Sequence, residues 1–456
     1  MVFKKKLRDY QKEYINNENH WYVNKKRNYK INDLREHART LRLLETIVIN
    51  PDNDKKIKKE FEDFAGKKWD ALSDKKTGRI PLSQLKGDPV EIGEIGRLTR
   101  LFIGLKLEES GIVTKYKNEP LLNDFKTKKF TYRKIKNKYK SDEIDSVRVH
   151  YRNASAHLQN WGLIRFAEKG KNTKNLYITE CGEEYIADVD SKYPFSCNSD
   201  SKIKGVFINQ VKALQIFSPR NTPRYKQIRV RPYFALAQFL SKLDKDERYF
   251  DRQEFTLFIT KVISHDDQEL TKKVSLLKDF RKLSTNNKTK YIKEIHDLDK
   301  SKRPKASQTL YDELYDQGRK TIDALTHEEI HDKAIYERKV INREEFIYVK
   351  NHKKLEKEVE QFKSSNQYIE FTTKSDWEKH FGSINGLSIK EIVDVEIKKP
   401  RISKGEVKKL VEKYRKKLID ETSLDPKEFI EDRLFERDVE SYYEKNIKEI
   451  LNDKFN

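Results

Sequence analysis

The segment Val147–Thr179, VRVHYRNASAHLQNWGLIRFAEKGKNTKNLYIT, constrains the fold of this chain more than any other. It opens with helical spacing and closes as two short strands around a basic, glycine-containing turn. With Ser146 near the helix start, Val147, Tyr151, Ala154, Leu158 and Trp161 follow at steps of four, three, four and three, so they share one inward face. The other side carries Arg148, Arg152 and Asn153, with Ser146, His150 and Ser155 at its margins; Val149 and Ala156 also point outward. LIRF and LYIT form the hairpin, Lys169, Lys171 and Lys174 sit at its tip, and Thr179 is placed to cap the helix ECGEEYIADV. These are the parts of a winged-helix DNA reader, and equally of a structural helix packed on a hairpin. As a reader, the helix would use Arg152 first and Asn153 next, since Arg pairs bidentately with guanine and Asn with adenine. Arg148 and His150 belong to the same DNA-facing set, and the three lysines of the wing would grip phosphates. If this helix only holds the backbone, the reader is expected on the earlier helix, around Arg97 and Arg100.

Charge points the same way. Ninety-seven Lys and Arg against 75 Asp and Glu leave a net charge of +22, which favours a polyanionic partner, here double-stranded DNA. An AT-rich genome inflating lysine is the other explanation. Two basic stretches interleave cations with aromatic residues: FKTKKFTYRKIKNKYK at 125–140, with Lys128, Lys129, Arg133 and Lys134, and SPRNTPRYKQIRVRP at 218–232, with Arg220, Arg224 and Lys226. Cations there can pair with phosphates while aromatics pack or stack; a solvated loop over a core is the alternative. The two cysteines, Cys181 and Cys197, give neither a disulfide framework nor a C-x-x-C metal pattern, so a reducing, cytoplasmic setting is expected. No signal-peptide core and no run of about 18 apolar residues is present, so no membrane partner is expected.

The periodicities give a mainly α fold with short β-hairpins (α+β): tandem winged-helix-type DNA-recognition modules followed by a helical linker. The first 20 residues read as a basic arm or frayed helix. EIGEIGRLTRLFIGLKLEESGIVTKY repeats the order helix, glycine (Gly111), strand, so 1–118 is expected to form an N-terminal winged-helix-like module and 119–232 the central recognition module. YFALAQFL, FDRQEFTLFITKVI and DDQELTKKVSLLKDFRKLS make a third helical module at 233–290, with Asp251 and Glu254 spaced as a capping box. Residues 291–420 read as a polar helical linker, and 421–456 as the opening helix of a nuclease module.

The runs VRVHYRNASAHLQNWGLIRF…LYITECGEEYIADV and RPYFALAQFLSKL…FDRQEFTLFITKVISHDDQELTKKVSLLKDFRKLS together resemble the recognition region of type IIS restriction endonucleases of the AlwI group and related nicking endonucleases. The resemblance spans roughly residues 90 to 285. It implies a FokI-like plan: winged-helix-type modules bind a short asymmetric site, and a C-terminal module hydrolyses a phosphodiester with Mg²⁺. It also implies a cognate DNA methyltransferase that protects the host site.

Such a cleavage module resembles a PD-(D/E)xK nuclease, whose acids hold Mg²⁺ and whose Lys positions or activates water. RLFERDVESYYEKNIKEIL looks like its opening helix, and no strands bearing the acids follow, so a separate nuclease subunit or a removed module is expected. One internal candidate exists: Asp394, Glu396 and Lys398 in VDVEIKKP would share one face of a strand, although charged alternation on an edge strand explains them as well. His327 and His331 in HEEIH match H-E-x-x-H, yet their polar flanks favour a solvated helix face over a zinc peptidase. A non-enzymatic tandem winged-helix protein, such as a replication initiator or transcription regulator, is the competing function.

Overall fold

A computed structural model of the chain describes residues 5–16, 20–21, 31–75, 77–84, 90–113, 119–127, 131–169, 173–216, 228–331, 335–364, 377 and 380–383. The chain divides into two units, Met1–Lys374 and Ser375–Asn456. Of the second, only Trp377 and residues 380–383 are described; the Trp377 and Phe381 rings stack at 4.9 Å. Asp394, Glu396, Lys398 and the 421–456 helix lie outside the described residues.

The first unit is mainly helical, with two small antiparallel sheets. Its first part runs α1 (Lys5–Asn16), α2 (Ile31–Leu44), α3 (Lys55–Ala65), α4 (Trp69–Leu72), β1 (Ser83–Gln84), α5 (Val90–Glu109), α6 (Glu119–Lys126), α7 (Tyr132–Lys138), α8 (Ser141–Asn160), β2 (Ile164–Lys169), β3 (Thr173–Ile178), α9 (Glu180–Tyr185) and α10 (Ser201–Ala213). Local chemistry sets many of these bounds. Asp54 caps α3 by accepting from Lys56 N and Ile57 N, and Gly66 ends it at φ 67°, where a side chain would be strained. Gly111 and Gly162 both take φ 69° after α5 and α8, as their positions require. Thr179 caps α9 by accepting from Gly182 N at 3.1 Å.

The sheet order is β1-β3-β2, so β3 lies between the hairpin partner β2 and the earlier strand β1. β2 and β3 pair from Ile164↔Ile178 to Lys169↔Thr173. Helix α5 packs along α8, and from Leu101 to Leu107 it is buried all round, with Leu98, Leu101, Phe102, Ile103, Leu105 and Leu107 in the core. Beneath them Phe61, Phe64, Phe102 and Phe125 form an aromatic core with centroids 5.1–5.7 Å apart. The expected split into separate modules 1–118 and 119–232 does not describe this packing: β1 and α5 of the first share one sheet and one core with α8, β2 and β3 of the second. The strand expected after Gly111 does not form at Ile112–Val113, and 114–118 lies outside the described residues.

The second part adds α11 (Pro232–Ser241), β4 (Tyr249–Asp251), α12 (Arg252–Glu254), α13 (Asp267–Arg281), α14 (Thr285–Lys302), α15 (Leu310–Thr326), β5 (Tyr336–Ile341), β6 (Glu344–Val349) and α16 (His352–Ser364). Its sheet repeats the first in order, β4-β6-β5: a short early strand joins the last strand, with helices between. Asn342 and Arg343, at φ 52° and 69°, make the two-residue hairpin turn. Asp251 accepts from Glu254 N at 2.7 Å as expected. The other half of the capping box is replaced, because the Glu254 carboxylate takes both Nε and Nη2 of Arg281 at 2.9 and 2.7 Å in the core.

The structure departs from the sequence pattern at the N-terminus and after residue 291. The N-terminal arm is instead the packed helix α1, which buries Leu7, Tyr10, Tyr14 and Ile15 against residues 255–291. Tyr291 donates to Leu7 O at 3.0 Å, and Lys261 reaches Tyr14 O at 3.1 Å. The 291–420 segment is no linker over its described part. Helix α15 buries Leu310, Tyr311, Leu314, Ile322 and Leu325, and α16 packs on α11, stacking Phe362 on Phe234 at 4.9 Å. Tyrosines and scattered aliphatics bury these helices although their sequences are rich in charge.

Candidate nucleic-acid interface

The α5–α8 pair carries the most concentrated positive charge of the expected site. Gly104 permits it: a Cβ there would meet Val147 O at 2.5 Å, so only glycine lets the helices close to this distance. Arg97 and Arg100 project from α5, one turn apart, and Arg148 and Arg152 from α8, also one turn apart. All four line one cleft of about 360 Å³ with Asp145, Val149, Tyr151 and Ser155. Two arginine pairs that the sequence offers as alternatives, the earlier helix and the later one, thus share a single surface.

The four differ in setting. Arg97 and Arg152 are exposed and make no ion pair among the described residues. Arg100 is half-buried and donates Nε to Gly96 O at 2.8 Å. Arg148, with 22% of its side chain exposed, pairs with Asp145, and its Nε is enclosed without a hydrogen-bond partner among the described residues. Burial, with the neighbouring arginine charges adding to it, holds the Arg100 and Arg148 guanidinium groups below their ordinary value. Burial also pushes the Tyr151 phenol up to about 12. Asp145 is the one carboxylate among the lining residues. Such an arrangement is suited to an anion with several charges.

Of the inward stripe expected on α8, Val147, Tyr151, Leu158 and Trp161 are buried, and Ala154 is half-buried. His150 is a correction: it is buried at 4% exposure, and its Nε2 lies 2.8 Å from Glu108 Oε1 on α5. It holds the two helices together and does not face solvent. The sequence missed this because α8 is covered on two sides, by α5 and by α2, whose His37 ring stacks on His157 at 5.1 Å. Asn153 is half-buried and bonded.

The basic stretch 125–140 is only partly a charged surface. Phe125 and Tyr132 belong to the aromatic core, Lys136 pairs with Glu94 at 2.6 Å, and Lys138 pairs with Asp124 at 2.5 Å. Arg133 and Lys134 are exposed on α7. Lys128 and Lys129 lie outside the described residues, as do Lys171, Arg220, Arg224 and Lys226. Lys169 ends β2 and Lys174 lies in β3, opposite Ser83 of β1.

Residues that sequence reasoning passed over also gather near this sheet. Arg79 lies 3.9 Å from the Tyr177 ring centroid and Arg165 5.6 Å from it. Register alone pairs Arg165 with Tyr177, so that contact was legible; Arg79 arrives from outside the hairpin and was not. HEEIH does not lie on a helix, since α15 ends at Thr326 and residues 328–330 turn. His331 Nε2 meets Ala324 O at 3.1 Å, and burial pushes its pKa down to about 4. Among the described residues no three His, Cys, Asp or Glu side chains are grouped to hold a metal ion, and no helix is long and apolar enough to cross a membrane. Comparison with protein-family models, curated proteins and solved structures gives no match for this chain.

Proposed function

We propose that the α5–α8 face binds duplex DNA and reads a short sequence in it, with the β2–β3 hairpin as the wing of a winged-helix unit. The observation that carries this reading is the arginine cleft: Arg97, Arg100, Arg148 and Arg152 converge from two packed helices with one carboxylate among them. Phosphates supply the matching charge, and guanidinium groups serve both phosphates and base edges. The order β1-β3-β2 supports a fixed wing, because the hairpin is pinned on its β3 side by an earlier strand. The equal order of the second sheet supports a second unit of like build.

The narrower reading is the recognition part of a type IIS restriction or nicking endonuclease, with Mg²⁺-dependent hydrolysis supplied by a PD-(D/E)xK site. It rests on the resemblance over residues 90–285. Plasmid nicking or cleavage with Mg²⁺, alone or with a nuclease subunit, supports it, and loss of that activity in Glu396→Ala would assign the strand candidate. Specific binding with no cleavage under any of these conditions favours a replication initiator or transcription regulator.

The binding claim is tested by fluorescence anisotropy of a labelled duplex with the full chain. Arg97→Ala and Arg152→Ala are expected to weaken binding severalfold each, while Lys293→Ala, at an exposed position of α14, leaves it unchanged. Equal affinity in all three variants contradicts the assignment.

A further inference from the structure

We infer that Arg148, held by Asp145, is the specificity-determining residue of this face and takes the O6/N7 edge of a guanine. The inference rests on the α5–α8 face being DNA-binding, and it selects among the arginines by their partners.

Arg97 and Arg152 are exposed and unpaired among the described residues, so each samples many rotamers. Such groups suit phosphates, which accept a cation from many directions. Arg148 differs on three counts. It is mostly buried, it is tied to Asp145 three residues earlier on the same helix, and its Nε is enclosed with no hydrogen-bond partner among the described residues. Its guanidinium is therefore oriented before DNA arrives, and the donors it can still give are on the two terminal nitrogens, not on the enclosed Nε. A planar fork fixed in this way loses little freedom on meeting two acceptors in line, and guanine presents such a pair in the major groove.

Asp145 supports the same conclusion. It is 58% exposed on a face that would meet phosphates, where a carboxylate is repelled. An i,i+3 surface pair returns little stability in exchange. Orienting Arg148 gives it a use, and its second oxygen can accept from cytosine N4, the other half of a G·C pair. Asp145 is thus a positioning residue, and its removal has an unusual signature. Non-cognate duplexes should bind more tightly, because a repulsive charge is gone, while discrimination falls.

The test is selection from a pool of duplexes with a randomised central segment, using the full chain, followed by affinities on the selected duplex and its single-base variants. Wild type is expected to select a motif with at least one G·C pair. Arg148→Lys should lose roughly tenfold or more in discrimination at that pair alone and keep the salt dependence of wild type. Asp145→Ala should lose discrimination at the same pair and bind unselected duplexes more tightly. Thermal unfolding of both variants checks that each is folded. An unchanged motif in both variants, or uniform loss at every position, overturns the assignment of Arg148. If wild type selects no motif at all, the sequence-reading function itself fails, and this assignment with it.

Discussion

Gly104 on α5 lies directly against Val147 on α8: an added Cβ would stand 2.5 Å from the Val147 carbonyl oxygen and 2.9 Å from its Cγ1. Neither backbone can give way cheaply, because both helices are buried along this contact. Gly104→Ala is therefore expected to destabilise the fold by about 1–3 kcal/mol. It should also weaken DNA binding by the folded protein, because widening the contact separates Arg97 and Arg100 from Arg148 and Arg152. Denaturant midpoints and duplex affinities check both; unchanged values in each would remove the close approach from the account.

His150 and Glu108 form a pair that is 3% and 4% exposed. His150→Ala leaves the Glu108 carboxylate buried without that partner and should cost about 1–3 kcal/mol in stability. Affinity for DNA, measured on folded protein at low temperature, should stay within about twofold of wild type, since the side chain does not reach the surface. A large, selective loss of binding would restore His150 to the DNA face.

Much of the α8–hairpin segment was legible because its signals are local. The stripe of Val147, Tyr151, Leu158 and Trp161, the glycine at 162 and the cap at Thr179 depend only on neighbours in sequence. What escaped depends on contacts across the chain. The inward turn of His150 and His157 follows from α8 being covered by α5 and α2 together, which one helix's period cannot express. The burial of α1 was hidden because Tyr10 and Tyr14 sit among lysines and acids. Their partners come from far away: Tyr10 stacks on Phe258 at 5.5 Å, and Lys273 and Lys261 lie over the two tyrosine rings at 4.5 and 4.4 Å. The arginine cleft was half legible, as two separate pairs whose meeting required the α5–α8 packing.

Glu254 and Arg281 are 3% and 10% exposed and bond through two nitrogens. Arg281 also donates to the carbonyls of Glu247 and Tyr249, so one guanidinium ties α13 to the start of β4. Glu254→Ala should cost about 3–5 kcal/mol, because it leaves a buried cation without its counter-charge. A change below about 1 kcal/mol in the denaturant midpoint analysis would mean that water reaches this site.

Three histidines give the fold an acid limit. Burial first, and then a neighbouring His157 or Arg231 charge, pushes His37 and His265 down to about 3; burial holds His331 at about 4. Unfolding returns each toward an ordinary 6.5, so the unfolded chain binds more protons between these values. Stability is thus fully present above about pH 6.5 and falls as pH drops toward 4, by up to about 1.4 kcal/mol per pH unit for each histidine. His37→Phe, which keeps a ring against His157, should reduce that slope by about one proton. An unaltered slope between pH 6 and 4 would show that His37 does not contribute.

Whether the α5–α8 face binds DNA is decided by the salt dependence of duplex binding. Four arginines on one face, in a chain of net charge +22, require counterion release on binding. Log affinity should fall linearly with log salt between about 50 and about 200 mM, with a slope steeper than about −2. Arg97→Ala should lower the magnitude of that slope by about one. A flat salt response in wild type, or a slope that Arg97→Ala leaves unchanged, would contradict the assignment of the α5–α8 cleft as a DNA-binding face.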